Sequence, residues 1–512
     1  MSQDAPSAPP NFLVFVLDQI SAMSLACNGN PDVQTPHIDR LAREGISFTR
    51  AYCNNSVCMP SRSTLLTGLT PRQHGCITNG TLLPAHVPTL TGALSEAGYR
   101  THAVGKLHLQ PFSATSVPGE PIPSWESRPL WDEGRITRLP LPYYGFQSVD
   151  YVGGHVHYCF GDYTNWLNEN HPGMHALYAR EQAYSAAGQS WKMDLPAELH
   201  YNHWIANRSI DFLRATPAEQ PFLLFCSFPD PHHPFAACRP YSEQFDPASV
   251  SISPTWDTRD EPCAWLRDVA RPSPDFSEAD LRADVAQYHG MIAHVDDNVG
   301  RVMDTLRDTG HHEDTVVVLM ADHGEYLGSH HLLYKHVWPW EELLRVPFVW
   351  RVPGGAPQPA DGVSQPAGSE AVVSLLDFVP TVLDYAGVSP EMLSMRGPEA
   401  RAEWPGLPGR SLRPAIDGDA PMAPRPAISE LDSDWQPGPM LRRRTIVDGH
   451  WKLTVFPRMG AGILTNLAND PHEMHNLWHD ARAASVKAEL TARLLEELIW
   501  SDPLPGPRIC GA

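Results

Sequence analysis

Four short runs of apolar, β-branched and aromatic residues, at 12–17, 99–104, 222–228 and 315–320, alternate along the chain with stretches of helical spacing. Strand-sized runs separated by amphipathic helices are the pattern of an α/β sheet. Each run is followed by polar residues: Asp18 and Gln19, Lys106 and His108, Asp230, His232 and His233, and Asp322 and His323. Open α/β sheets bind ligands at the carboxyl ends of their strands, so these positions are functional candidates on pattern alone.

The helices carry readable punctuation. Thr35 with Pro36 and a closing Gly45, and Pro88 with a closing Gly98, predict two short helices. Between 277 and 310, Leu281, Val285, Tyr288, Ile292, Val295, Val299, Val302 and Leu306 keep helical spacing and predict one long helix against the sheet. Residues 111–200 show no clean period and are rich in aromatic, Pro and His residues, a composition for active-site walls or subunit contacts. A Pro- and Gly-rich stretch at 387–425 precedes strand-like runs at 445–447 and 452–455 and an amphipathic helix near 481–500. The pattern predicts a large α/β unit over 1–420 and a small α+β domain over 421–512.

At 512 residues the chain suits about three domains, or one large unit with a small one. The net charge of −21 argues against nucleic acid or anionic membrane as a partner, although a cleft can still gather cations around a small anion. No apolar run approaches the ~18 residues of a membrane span. The first basic residue is Arg40, so no basic leader region is visible and a cytoplasmic location is expected. Nine scattered cysteines without CxxC spacing argue against a disulfide framework or zinc ribbon.

The most informative string is Cys58-Met59-Pro60-Ser61-Arg62-Ser63-Thr64-Leu65-Leu66-Thr67-Gly68. Pro60 and Gly68 bracket a helix and set Cys58 just before its N-terminus, where free N–H groups and the helix dipole favour an anion. Arg62, four positions on, shares that face. A lone cysteine there would read as a small buried apolar residue; the whole string resembles the signature of the type I sulfatases, whose cysteine is oxidised to formylglycine.

The resemblance extends along the chain. Asp18, Gln19, Asp322 and His323 are similar to the family's four metal ligands, implying one divalent ion, with Ca²⁺ favoured by the carboxylates and Mn²⁺ or Mg²⁺ left open by Gln19 and His323. Lys106 and His108 resemble its Gly-Lys-x-His segment, His232 its Pro-His-x-Pro turn, and Lys335 its distal lysine. Asn79 matches the asparagine after the signature helix and is expected to bind substrate, whereas His102 and His233 read as structural. The run from Leu464 to Leu477 resembles the sulfatase C-terminal domain. The implied fold is a large mixed, mostly parallel sheet flanked by helices, alkaline phosphatase-like, with a smaller C-terminal α+β domain. The implied activity is hydrolysis of a sulfate monoester: position 58 attacks sulfur, Arg62, Lys106 and Lys335 neutralise the sulfuryl oxygens, His232 or Lys335 protonates the leaving alcohol, and His108 accepts a proton. A small-molecule sulfate ester and a formylglycine-generating enzyme during maturation are the implied partners; separately, the Pro-rich loops and late Trp residues point to a second copy of the chain as a partner. Phosphonate monoester hydrolases and phosphodiesterases of the same superfamily are the alternative, resembling the chain in its Asp-Gln and Asp-His pairs.

Overall fold

The computed structural model describes residues 9–178, 190–258, 264–267, 275–355, 370–393, 406–433 and 441–502. Its main sheet has eight strands in the order Ile46–Ser47, Phe348–Arg351, Thr315–Ala321, Asn11–Leu17, Phe222–Phe228, Arg100–Gly105, Ser148–Gly153 and Phe160–Gly161. The five strands from Thr315–Ala321 to Ser148–Gly153 run parallel, and each flanking strand pairs antiparallel with its neighbour. All four expected runs are strands. Strands Asn11–Leu17, Phe222–Phe228 and Thr315–Ala321 are buried at every position, which is why they read as continuous apolar runs.

Register then builds the site. Leu17 pairs with Ala321 on one side and Phe228 on the other, so Asp18, Asp322 and the turn at Asp230 leave the sheet side by side. The next strand along ends at Gly105, paired with Ser227, and delivers Lys106 to the same rim. Gly105 has φ 98° and a Cβ there would lie 1.9 Å from the Ser227 carbonyl oxygen, so only glycine permits this exit.

The long helix spans Glu278–Asp308 and opens with a capping box between Ser277 and Asp280. It packs against helix Tyr201–Arg214, and its Tyr288 hydroxyl donates to the Gln19 carbonyl at 2.9 Å. The C-terminal part is a four-stranded antiparallel sheet, Ala427–Ser433, Leu441–Asp448, Trp451–Val455 and Gly462–Asn466. Ile446, Leu453 and Leu464 on one face pack against Leu490 and Leu494 of helix Ala484–Trp500. Among the described residues no helix is long and apolar enough to cross a membrane, and the seven described cysteines are free.

Candidate active site

The signature helix spans Cys58–Thr67, so Cys58 is its first residue rather than the one before it. All ten residues are buried, which explains why the stretch shows no amphipathic stripe. Its polar side chains are anchored instead: Asn54 Nδ2 donates to Thr64 Oγ1 at 2.6 Å, and Ser61 Oγ donates to the Asp322 carbonyl at 2.6 Å. At the N-terminus, the Met59 N–H donates to Asn79 Oδ1 at 3.0 Å. Asn79, expected at the substrate, thus caps the helix that carries Cys58.

Ligand atoms of Asp18, Cys58, Asp322 and His323 all lie within 4.8 Å of one another, and all four residues are buried. Cys58 Sγ sits 3.2 Å from His323 Nε2, 3.8 Å from Asp18 Oδ1 and 2.9 Å from Lys335 Nζ. Lys335 Nζ also lies 2.9 Å from His232 Nε2 and 3.1 Å from His323 Nε2. Lys106 Nζ pairs with Asp18 Oδ2 and approaches Cys58 Sγ at 3.9 Å. Two ammonium groups therefore face position 58.

Arg62 is tied to the strand-end carboxylates. Its Nε donates to Asp322 Oδ2 at 2.7 Å, one terminal nitrogen donates to the Lys106 carbonyl and Ser227 Oγ at 2.9 Å each, and the other lies 3.6 Å from Asp18 Oδ2. Spacing set the guanidinium on the face of Cys58, but a buried cation must be paired, and the nearest anions are the two strand-end carboxylates. Arg62 braces those carboxylates, and its second terminal nitrogen is buried without a hydrogen-bond partner.

Protonation follows from burial and charge. Burial and Asp18 push the Cys58 thiol up, but Lys106, Lys335 and His323 outweigh them and hold it below its ordinary value. Burial works against ionisation of Asp18 too, yet Lys106, His232 and Arg62 bring its carboxyl well below the usual range. Burial and neighbouring cations hold His108 and His232 well below the usual imidazole range. The same causes bring His155 down to about 3.

Three residues at the site escaped the sequence reading. His155 Nε2 contacts Lys106 Nζ and lies 3.3 Å from Asp18 Oδ2, and its ring stacks on His232 at 3.5 Å between centroids and 2° between planes. It follows strand Ser148–Gly153, so the strand-end rule would have found it had that strand been recognised. Glu126 accepts from the backbone N–H groups of His108, Leu109 and Gln110 and from the Tyr143 and Tyr151 hydroxyls. That carboxylate holds His108, whose φ is 58° and whose ring stacks on Phe112 at 3.7 Å. Glu325, two residues after His323, accepts from the Gln19 side-chain amide. His233, read as structural, contacts the Gln19 amide at 2.8 Å and so belongs to the site.

The donor set fits a divalent cation. Two carboxylates and an imidazole converge beside Cys58, and Gln19 Oε1 is buried without a hydrogen-bond partner, as an oxygen reserved for a cation would be. His323 Nδ1 lies 2.9 Å from the Gly324 carbonyl, so a proton on Nδ1 would leave the Nε2 lone pair to the ion.

Comparison with known proteins agrees with this geometry. Residues 10–388 match the Sulfatase family model, and residues 328–499 match the model for the C-terminal region of N-sulphoglucosamine sulphohydrolase. The chain is 26% identical to an arylsulfatase of Clostridium perfringens over 74% of this chain and 75% of that protein. It is 27% identical to a multifunctional alkaline phosphatase superfamily protein, PehA, of Trinickia caryophylli over 95% and 94%. The phosphonate monoester hydrolase of Agrobacterium radiobacter superposes with a TM-score of 0.76 at 25% identity, covering 96% of each chain. With a rim of strand-end carboxylates around a signature cysteine, and a family match over most of its length, the chain belongs to the sulfatase family.

Proposed function

We propose that the chain hydrolyses sulfate monoesters of aryl or small alkyl alcohols, using one divalent ion and a formylglycine that a formylglycine-generating enzyme makes from Cys58. The observation that carries this reading is the meeting of Cys58 Sγ with Lys335, Lys106 and His323 at the rim of two braced carboxylates. The modified residue and its ion would supply a metal-acidified hydroxyl to attack sulfur and a second hydroxyl whose deprotonation expels sulfate. Asp18, Gln19, Asp322 and His323 would hold the ion. Lys106 and Lys335 bind the sulfuryl oxygens, supplying fixed charge where negative charge develops. His232, held 2.9 Å from Lys335, delivers the proton to the leaving alcohol. His108, held neutral, accepts the proton released at position 58.

A second reading, hydrolysis of phosphonate monoesters or phosphodiesters, is favoured by Gln19 and His323 in the metal set and by the similarity to the Agrobacterium enzyme. Lys106 and His108 favour sulfate. The test is kcat/KM for one phenol presented as its sulfate monoester, its phosphodiester and its phosphonate monoester. The sulfate is expected to lead; a faster phosphodiester or phosphonate would replace the first reading with the second.

A further inference from the structure

Glu325 is fully buried and lies outside every role assigned above. One of its oxygens, Oε2, accepts from Gln19 Nε2, and the other, Oε1, accepts from the backbone N–H groups of Leu327, at 3.0 Å, and Tyr334. The Gln19 amide nitrogen has a second neighbour in His233 Nδ1 at 2.8 Å, while its oxygen, Oε1, is buried and unpartnered. A carboxamide is nearly symmetric in shape, so its orientation is set by what it faces. A carboxyl oxygen that accepts from the nitrogen favours the orientation observed, with Oε1 turned away from Glu325.

The same carboxylate closes an unusual piece of backbone. Leu327, His330, His331 and Tyr334 have φ of 46°, 52°, 56° and 67°, left-handed values that non-glycine residues adopt only when their surroundings impose them. The segment delivers Lys335 to Cys58, and Glu325 ties both its ends.

We propose that Glu325 is a positioning residue that aims the oxygen of Gln19 at the divalent ion and, through Tyr334, fixes the segment that presents Lys335. This inference rests on the metal-dependent reading of the site. In E325Q, the clamp on Leu327 and Tyr334 takes the new amide oxygen and leaves its NH₂ against the NH₂ of Gln19. Gln19 must then turn its own NH₂ toward the ion. The reciprocal swap, Q19E with E325Q, restores one donor facing one acceptor and returns an oxygen to the metal.

The test is calorimetric titration of the full chain with Mn²⁺ and Ca²⁺, alongside thermal midpoints with and without the ion. E325Q is expected to bind about 10–100-fold more weakly and to lose the ion-induced rise in midpoint. The swapped double variant is expected to recover at least about tenfold of that affinity, a coupling that a merely structural role would not produce. The swap carries the test even where E325Q fails to fold, because it must both fold and bind. Wild-type affinity in E325Q, or a swap no tighter than E325Q, overturns the inference while leaving the metal reading intact. A wild-type chain that binds neither ion removes the metal reading and this inference with it.

Discussion

Lys452 of the C-terminal sheet lies between two buried carboxyl groups, 3.0 Å from Glu341 Oε1 and 2.6 Å from Glu473 Oε2, with all three side chains at most 5% exposed. Glu341 follows the segment that carries Lys335, so this contact ties the C-terminal sheet to the catalytic unit. One ammonium cannot neutralise two carboxylates. Burial pushes the Glu473 carboxyl up, and Glu341 pushes it further against the pull of Lys452; burial also opposes ionisation of Glu341, but Lys452 and Arg345 bring that group down. Glu473 is the partner that keeps a proton. K452M leaves two carboxyl groups facing each other without a cation, and breaking a buried pair in this way costs about 3–5 kcal/mol. E473Q replaces a proton-bearing carboxyl with an amide of the same shape. Its oxygen can accept from Lys452 and the Glu341 N–H, and its NH₂ can donate to Thr465 Oγ1, so it should cost about 1 kcal/mol or less. The pH dependence has a definite sign. A carboxyl raised in the folded state holds a proton that the unfolded chain releases, so its contribution to stability is lost as pH rises from the ordinary value of 4.5 through the raised one. Urea midpoints at pH 5.5 and pH 8 should show E473Q gaining on the wild type at the higher pH and K452M falling further behind. If K452M at pH 8 is no less stable than E473Q, the assignment of the proton and of the buried charge is wrong.

Three further outcomes follow from the site. C58S, made with the plain alcohol at position 58, should lose more than about 10³-fold in kcat while folding normally; near-wild-type multiple turnover by that alcohol would refute the need for a modified residue 58. Chelation should abolish activity and lower the thermal midpoint, with recovery on adding back a divalent ion, and a chelator-treated enzyme with full activity and an unchanged midpoint would remove the ion from the site. E126A orphans three successive backbone N–H groups under His108 and should cut kcat more than it raises KM; an unchanged kcat would show that Glu126 does not govern His108.

What the sequence disclosed, it disclosed through burial. Strands covered on both faces must be apolar throughout, so 12–17, 222–228 and 315–320 stood out, and the polar residues after them were visible as breaks in that pattern. Strand Ser148–Gly153 is half-exposed along its first half and lies in a Pro- and aromatic-rich region, so it carried no such signal and His155 was lost with it. The signature helix was legible from Pro60 and Gly68, and Gly68 closes it at φ 69° with its N–H on the Thr64 carbonyl. The direction of Arg62 was not legible, because spacing gives the face of a helix and not which of several partners a long side chain reaches. Glu126 and Glu325 act by accepting backbone N–H groups, and a loop conformation held in that way has no one-dimensional signature.

On the proposed function, the site divides its work between cationic groups and mobile protons. Arg62, Lys106 and Lys335 carry the cationic groups, and two of their partners are the carboxylates Asp18 and Asp322. Around them stand His108, His155, His232 and His233, and burial together with the neighbouring cations holds each imidazole below its ordinary value. Charged imidazoles here would add repulsion against the ammonium groups and against a divalent ion, without adding a group able to accept a proton. On that reading, neutral imidazoles leave the electrostatic pull on an anionic ester to the Arg and Lys groups and keep lone pairs free to accept protons. On this reasoning replacing His232 with Asn should slow esters of poorly acidic alcohols far more than esters of acidic phenols, whose departure needs little protonation. Equal losses on both would mean that His232 serves binding and not proton transfer.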